Sequence, residues 1–488
     1  MSRTSVAVTT HQAADFGAQR VVTLRIFNGH IHRLGLLALT EALVVVAALH
    51  AAIFIRFPGF PISLDAFEAS RGPIWPRALL VAAVIVLALA SLGLYQLRQR
   101  ARLPGVLVRL LIAMAAAHVA LALVFYAVPA LDAGRGVTAL TGVLSLAGLA
   151  ATRFVFMRTV DENFFKRRIL VWGGGARARA IGQRLRRRTD QRGFRIVGYV
   201  RAPGDGGEIP KGPLFRASTG LVRLALRNRI EEIVVAMDDR RGGFPTEELL
   251  ECRLRGIRVT DLLTFLERES GRVSVELMHP SWLIFSSGFR SDFVRLFSKR
   301  AFDVGVSLAI LVASAPIALL AAAVIWLEDR GPIFYRQLRT GQNGRLFQIV
   351  KFRSMRVDAE GDGRAVWARQ NDARVTRVGA WIRRLRIDEL PQVLNVLLGH
   401  MSFVGPRPER PEFVGALAQK VPFYEERHFV KPGITGWAQV RYSYGASEKD
   451  AEEKLEYDLY YVKHHSLALD LLVLLQTVEI VLFRIGAR

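Results

Sequence analysis

The sequence predicts a membrane protein of three parts: a four-helix transmembrane bundle, a doubly wound α/β domain, and a mainly α C-terminal domain that opens with a helix re-entering the membrane. Three observations predict it. The 488 residues are 51% hydrophobic, yet Lys and Arg outnumber Asp and Glu by 67 to 43. The apolar residues are gathered into long runs rather than a short-period pattern. A glycine-rich turn joins a strand-like segment to a helical one in the middle of the chain. This composition excludes intrinsic disorder, which needs low hydrophobicity. A formal charge of +24 has three usual partners, nucleic acid, anionic lipid or phosphorylated substrates, and the apolar runs favour the last two. Cys252 is the single cysteine, so an intrachain disulfide and a Cys-based zinc site are excluded.

Residues 1–33 are polar and hold no apolar core before a cleavage site, so they read as a cytoplasmic segment and not a signal peptide. Runs without Lys, Arg or Asp follow at Leu34–Ile55, Ala78–Leu97, Leu110–Leu131 and Gly136–Thr152. About 20 apolar residues, with roughly 17 as the short limit, cross a bilayer core as a helix. The fourth run extends to Met157 if Arg153 snorkels, giving a bundle over 34–157. Arg20, Arg25 and Arg33 precede it, Arg98, Arg100 and Arg102 separate the second and third runs, and Arg158, Lys166, Arg167 and Arg168 follow the fourth. In the other two loops Arg56, Arg71 and Arg135 are offset by Asp65, Glu68 and Asp132. Basic loops stay in the cytoplasm, which places both ends of the bundle there. Glu41, His50 and His118 are isolated polar residues in the spans and read as bundle contacts or interface positions, not a proton relay.

Next, Arg168–Trp172 reads as a buried strand that runs into Gly173-Gly174-Gly175 and a helical pattern. Further strands are expected at Phe194–Val200, Glu232–Met237 and Gly256–Thr260, separated by helical stretches. That alternation is Rossmann-like and occupies 165–290. Gly173, Gly175 and Ala178 fit G-x-G-x-x-G/A, whose tight turns bring a pyrophosphate to a helix N-terminus. The second strand, however, ends Tyr199-Val200-Arg201, without the acid that would hold a ribose hydroxyl. A regulatory or structural domain with a degenerate site is favoured over redox catalysis. Residues 158–230 carry 18 Lys+Arg against 5 Asp+Glu, which attraction to lipid headgroups explains. No nucleic-acid motif accompanies them, so no nucleic acid is expected as a partner.

Val304–Leu327 is a fifth uncharged run, long enough to span. Both of its flanks are basic: Arg295, Lys299 and Arg300 before it, Arg330, Arg336 and Arg339 after it. Pro316 falls mid-run, removes one helix hydrogen bond and bends the helix, and Ser314 can accommodate freed backbone groups. A helix that dips in, bends at Pro316 and leaves by the same face fits both facts.

After the dip come the chemistry-bearing residues. Asp388 and Glu389 stand just before Pro391 and the apolar helix Val393–Leu398, at a helix N-terminus that favours anions. Adjacent carboxylates need a cation, and sparse hard oxygen ligands suit Mg²⁺ shared with substrate phosphates. An ionised Asp beside a phosphoanhydride can form an aspartyl-phosphate. From these two residues alone a capping pair with surface charge is the better reading. The surroundings tilt the balance: Lys351-Phe-Arg353-Ser-Met355, Gly405-Pro406-Arg407-Pro408 and Lys431-Pro432-Gly433 hold cations on stiff turns, as a diphosphate would require.

The series Lys299-Arg300…Asp303, Pro316, Lys351-Phe-Arg-Ser-Met355, Asp388-Glu-Leu-Pro-Gln392, Met401-Ser-Phe-Val-Gly-Pro-Arg-Pro408 and Pro432-Gly-Ile-Thr-Gly436 resembles the bacterial sugar transferase family, the monotopic phosphoglycosyl transferases. The match runs from about 295 to the C-terminus. Four spans (34–157), a Rossmann-like, CoA-binding-like domain (165–290) and a catalytic unit (295–488) look like the large subfamily that starts exopolysaccharide or O-antigen repeat units. The resemblance implies transfer of hexose-1-phosphate from a UDP-sugar to undecaprenyl phosphate, releasing UMP, at the cytoplasmic face of the bacterial inner membrane. It implies Asp388 as nucleophile forming a covalent phosphosugar intermediate, and Glu389, with Asp388, as holder of Mg²⁺. Arg383, Lys351, Arg353 and Arg407 match phosphate- or nucleotide-binding positions. Lys299, Arg300, Asp303, Ser314 and Pro316 belong to the family's re-entrant helix, here 304–327. The family often has Ser-Pro at the bend, whereas this chain has Ser314-Ala315-Pro316. A homodimer is the expected assembly.

The bottom-up reading agrees, because the acceptor phosphate floats at the lipid surface and the site must lie there. Leu469–Phe483, broken by Asp470, Thr477 and Glu479, reads as an interfacial or packing helix. Two rivals remain. A membrane-anchored nucleotide-sugar dehydratase would need a second dinucleotide fingerprint and a Tyr-x-x-x-Lys pair, and Tyr461-Val-Lys463 has the wrong spacing. A non-catalytic scaffold or sensor would tolerate loss of the Asp388 carboxylate. Which sugar is carried stays open.

Overall fold

The computed structural model describes the backbone of residues 13–57, 62–95, 103–159, 166–186, 190, 191, 193–203, 205, 206, 210–216, 220–239, 243–278, 284, 288, 292–357, 359, 374–442 and 447–483. Arg98, Arg100 and Arg102 lie outside the described residues, as do the side chains of Arg20, Arg25 and Arg33. The chain divides into two compact units, Met1–Ser270 and Gly271–Arg488.

In the first unit, α1 (Ala13–Arg56) leads through the short α2 (Ile62–Arg71) to α3 (Ile74–Ser91), α4 (Leu103–Ala127) and α5 (Arg135–Thr159). The four long helices share a core that fully buries Val45, Ile85, Leu110 and Leu149. Stretches of 18 to 25 residues in each are long and apolar enough to cross a membrane,. Leu39, Leu87, Leu123 and Val143 stay more than half exposed, as side chains facing lipid would. The second apolar helix stops at Ser91, short of the expected Leu97, because Gly93 turns the chain with φ 70°,.

One expectation is overturned here. Arg153 does not snorkel; it is 5% exposed. Its Nε lies 2.5 Å and its NH2 2.9 Å from the Glu41 carboxylate, while NH1 donates to Leu94 O at 2.6 Å. Glu41 is therefore not isolated: it also accepts from Tyr95 OH at 2.5 Å. A charge inside an apolar bundle is tolerated only when paired, and this one is. His50 and His118 donate from Nδ1 to the carbonyls of Val46 and Met114 one turn earlier, and their rings lie against Trp75 of α3 and Gly142 of α5, so they are bundle contacts.

A five-stranded parallel sheet follows, in the order β3-β2-β1-β4-β5. Its strands are β1 (Arg167–Trp172), β2 (Phe194–Val200), β3 (Leu214–Phe215), β4 (Glu232–Val235) and β5 (Arg258–Asp261), with α6 (Ala176–Arg184), α7 (Leu221–Arg227), α8 (Thr246–Leu254) and α9 (Leu262–Ser270) between and after them. β1 and β4 are flanked on both sides, and their segments 169–172 and 233–235 are apolar throughout, as a covered parallel sheet requires,. Cys252 is buried in this core beside Leu249 and Ile257.

Packing extends the second compact unit back to Gly271, ahead of the catalytic stretch expected from 295. Val273, Val275 and Met278 bury against Leu455 and Leu459, and Trp437 Nε1 donates to Gly271 O at 2.7 Å. These apolar side chains belong to the catalytic unit because that is where they leave water.

α10 (Phe293–Asp329) contains the fifth run, with Pro316 inside it and no break in the helical assignment. Straight, its 37 residues would reach about 55 Å. Both of its ends are fastened to the same unit. Near the start, Lys299 Nζ meets Asp470 Oδ2 at 2.6 Å, Arg300 donates to the carbonyls of Val396 and Leu397, and Asp303 Oδ1 accepts from Ser402 Oγ and Phe403 N. Near the end, Ala321 and Ile325 pack with Phe352 and Ile382, and Asp329 pairs with Arg353. Between these anchors Val312, Leu319 and Leu320 are exposed.

The remainder is a hairpin, β6 (Phe334–Thr340) with β7 (Leu346–Phe352), then α11 (Arg377–Arg384), a 3₁₀ turn (Ile387–Glu389), α12 (Gln392–Leu397), β8 (Ser402–Val404), α13 (Pro411–Lys420), a second 3₁₀ turn (Glu425–Phe429), β9 (Gly433–Thr435), α14 (Trp437–Arg441), α15 (Glu448–His464) and α16 (Leu467–Phe483). β8 pairs with β9 in parallel. α16 is a packing helix at its start, where Asp470 and Val473 are buried.

Candidate active site

Asp388 and Glu389 form the 3₁₀ turn between α11 and α12. Arg386, just before it, takes a left-handed conformation with φ 59°. Such a conformation is uncommon without glycine and marks a backbone held by its surroundings. The turn is registered against the hairpin by Asn395 on α12, which accepts from Val350 N at 3.0 Å and donates to Gln348 O at 2.7 Å. That clasp sets Lys351, the next residue of β7, against the turn: Lys351 Nζ stands 3.2 Å from Glu389 Oε1. The same oxygen lies 3.6 Å from Arg407 NH2.

Arg407 arrives from β8 by a stiff route. Gly405 N donates to Thr435 O and Gly433 N to Pro406 O. A Cβ at Gly405 would sit 2.2 Å from Lys431 O, so the close approach of the two turns requires glycine. Arg427, itself buried and paired with Asp458 at 2.7 Å, donates from NH2 to Arg407 O at 3.1 Å.

The environment splits the two carboxyls. Burial raises the Asp388 pKa, and the neighbouring Glu389 adds to the rise,. Burial pushes Glu389 up as well, but the Arg407 and Lys351 cations outweigh it and bring its pKa down to about 2. Burial, then Arg407, lowers the Lys351 pKa, against the pull of Glu389 and Asp388. Desolvation and the cations of Arg407 and Lys351 thus set the two carboxyls apart. Among the described residues Asp388 Oδ1 is buried without a hydrogen-bond partner.

A cavity of about 400 Å³ opens beside Asp388, lined by ten Lys and Arg side chains against Asp388 and Glu409. It brings together the expected Lys351, Arg353, Arg383 and Arg407. Arg353 lines it while holding Asp329 of α10. Sequence reasoning did not place Arg336, Arg339, Arg356, Arg374, Arg410 and Lys454 there. Arg410 stands two residues after the Pro-Arg-Pro turn and was findable there, whereas Lys454, on α15, carries no local signal. Lys431, on its stiff turn, does not line the cavity; it sits beside Gly399 and Arg300. Lys299, Arg300 and Asp303 likewise stand outside it and fasten α10, and Ser314 and Pro316 lie mid-helix.

No group of three or more metal-ligating side chains occurs among the described residues. The two carboxylates, one with an unpartnered buried oxygen, fit Mg²⁺ as a partial shell that diphosphate oxygens and water must complete.

Residues 294–484 match the family model described as bacterial sugar transferase, and residues 90–242 match one described as CoA-binding domain. The UDP-N-acetylgalactosamine-undecaprenyl-phosphate N-acetylgalactosaminephosphotransferase of Aeromonas hydrophila is 41% identical over 251 residues, 51% of this chain and 58% of the relative. The UDP-glucose:undecaprenyl-phosphate glucose-1-phosphate transferase of Escherichia coli (strain K12) is 34% identical over 65% of this chain and 68% of the relative. The exopolysaccharide production protein PSS of Rhizobium leguminosarum bv. phaseoli is 42% identical over 37% of this chain and 92% of the relative. The matched stretch thus spans little more than half the length of the first of these and nearly all of the last. With the motifs in order and the cavity built from them, the chain belongs to the bacterial sugar transferase family.

Proposed function

We propose that this protein is a phosphoglycosyl transferase that moves a sugar-1-phosphate from a UDP-sugar to undecaprenyl phosphate in exopolysaccharide or O-antigen initiation. The observation that carries the reading is the unpartnered Asp388 carboxylate oxygen at the edge of a cavity lined by cations. The Asp388 oxygen attacks the phosphorus that bears the sugar, and the bond from that phosphorus to the UMP oxygen breaks. UMP leaves, and an acylphosphate joins Asp388 to the sugar phosphate. An oxygen of undecaprenyl phosphate then attacks the same phosphorus, the Asp388 carboxylate is released, and undecaprenyl-diphosphate-sugar forms.

Lys351 and Arg407 hold Glu389 ionised and face the diphosphate, while Arg383 adds charge near Asp388. These fixed cations are aimed where negative charge gathers in phosphoryl transfer. Glu389 and Asp388 would hold Mg²⁺, which would supply further neutralisation of the diphosphate.

The five apolar helices place the protein in a membrane, and we assign the bacterial inner membrane with the catalytic unit on the cytoplasmic face. The anchoring of both α10 ends on one unit supports a re-entrant course bent at Pro316, because a straight crossing would carry the ends apart. Exposed Phe293, Phe297, Trp381 and Leu385 on the same unit fit immersion at the interface.

The test is intact-protein mass with a panel of UDP-sugars and no acceptor. Wild type should gain one sugar phosphate and release one UMP, and Asp388→Asn should do neither. Turnover by Asp388→Ala at the wild-type rate would end the proposal.

A further inference from the structure

The glycine turn of the first unit has the pattern of a phosphate cradle, yet its backbone donors are already taken. Asp238, just beyond β4, accepts from Ala176 N and Arg177 N at 2.8 Å each through its two carboxylate oxygens. These are the first two N–H groups of α6, the ones a phosphate would use. Asp205, beyond β2, accepts from Gly174 N at 2.6 Å and Ala202 N at 2.9 Å through Oδ2, and from Asp238 N at 3.2 Å through Oδ1. One carboxylate fixes the backbone of the other, and the second caps the helix.

The glycines answer to these groups. A Cβ at Gly175 would stand 1.9 Å from Asp238 Oδ2, and one at Gly173, whose φ is 137°, would meet Ala236 O at 2.3 Å. β1 lies between β2 and β4, so the crevice in which an open parallel sheet takes its ligand is bordered by the loops that carry these two acids. A pyrophosphate arriving there would have to evict Asp238 from two N–H donors and a helix dipole, and would then face a second, buried carboxylate at Asp205,.

We infer that the phosphate cradle of the Rossmann-like domain is filled by the chain's own Asp238, so that the domain takes no CoA or dinucleotide pyrophosphate there, in disagreement with the description of the family model that matches it. This holds whether or not the transferase reading does. The glycine fingerprint serves an internal carboxylate.

Two measurements on the full-length protein in nanodiscs decide it. In a double-mutant cycle read by thermal unfolding, Gly175→Ala should lower the midpoint by several degrees in the wild-type background and much less beside Asp238→Ser, which withdraws the clashing oxygen but can still cap the helix. Asp238→Ala serves as a second shortened variant. Equal effects of Gly175→Ala in all backgrounds would overturn the inference. Equilibrium dialysis with labelled CoA and NAD⁺ is run on Lys351→Ala/Arg407→Ala, which removes cations of the catalytic cavity. No saturable uptake is expected up to millimolar ligand, and saturable binding of one ligand per chain would overturn it.

Discussion

Lys351 Nζ lies 3.2 Å from Glu389 Oε1, and this contact, with Arg407, makes the two adjacent carboxyls unlike. Glu389 is held well below the usual carboxylate range while Asp388 is pushed above it. Environments that drive neighbouring groups apart assign them different tasks.

Replacing Lys351 by Met removes one of the two cations on Glu389 and one of those lining the cavity beside Asp388. Loss of a charge-assisted contact of this kind costs about 1.5–3 kcal/mol, or roughly 10–150-fold in kcat/KM for the UDP-sugar. Glu389 should then titrate nearer its ordinary value. The wild-type Glu389 contributes stability fully present above about pH 4.5 and lost as pH falls toward about 2,. In Lys351→Met that pH-dependent loss should be smaller and should be complete at higher pH, as acid-unfolding curves of the two proteins would show.

Asp388 has the opposite sign. Its folded pKa is raised, so ionising it costs folded-state stability, a cost that grows as pH rises above 3.8. Asp388→Asn should therefore unfold above wild type at pH 7, while being inactive. The gain should shrink as the pH is lowered toward 4. A lower midpoint at pH 7 would contradict this account.

Arg427 supports Arg407 through the 3.1 Å hydrogen bond to its carbonyl and is itself paired with Asp458. Arg427→Lys keeps a charge for Asp458 but loses the fork that reaches both partners. KM for the UDP-sugar should rise about 10-fold with kcat changed little, since a buried hydrogen bond to a charged group is worth about 1.5–3 kcal/mol. Steady-state kinetics of the purified variant separate this from general loss of fold, which would lower the active fraction and leave KM alone.

Glu41 and Arg153 form the buried ion pair of the bundle. Removing one partner leaves an uncompensated charge, and Glu41→Leu should cost about 3–5 kcal/mol. The double variant Glu41→Leu/Arg153→Met should recover most of that, because replacing a whole buried pair by apolar groups is often neutral. Denaturant titration in mild detergent gives both values.

The course of α10 can be read with thiol reagents, since the native Cys252 is buried. In spheroplasts, cysteines placed at Phe293 and Arg330 should react only after permeabilisation, and one at the exposed mid-helix Leu319 should resist water-borne reagent throughout. Labelling of position 330 from outside the cell, with 293 protected, would establish a straight crossing.

Much of this was legible in the sequence because it depends on near neighbours. Apolar runs announce the long helices, alternation of strand and helix announces the parallel sheet, and Pro391 places Asp388-Glu389 at a turn before α12. Arg407 was legible between its prolines. The pairings that span the chain were not. Arg153 read as a snorkelling residue because its partner is 112 positions away. Lys431 read as a phosphate ligand because a stiff turn declares its rigidity and not its direction. The Gly173–Gly175 turn read as a degenerate nucleotide site because Asp238, 62 positions on from Ala176, is invisible to a local pattern.

By itself, then, the sequence determined the membrane helices, the order of the parallel sheet's elements and the carboxylate pair, since these follow from backbone periodicity, turn chemistry and hydrophobic length. Only the tertiary structure decided which cation neutralises which acid, which glycine makes room for which side chain, and where the second unit begins. Those outcomes rest on desolvation and on distances between residues far apart in the chain, which no local pattern encodes.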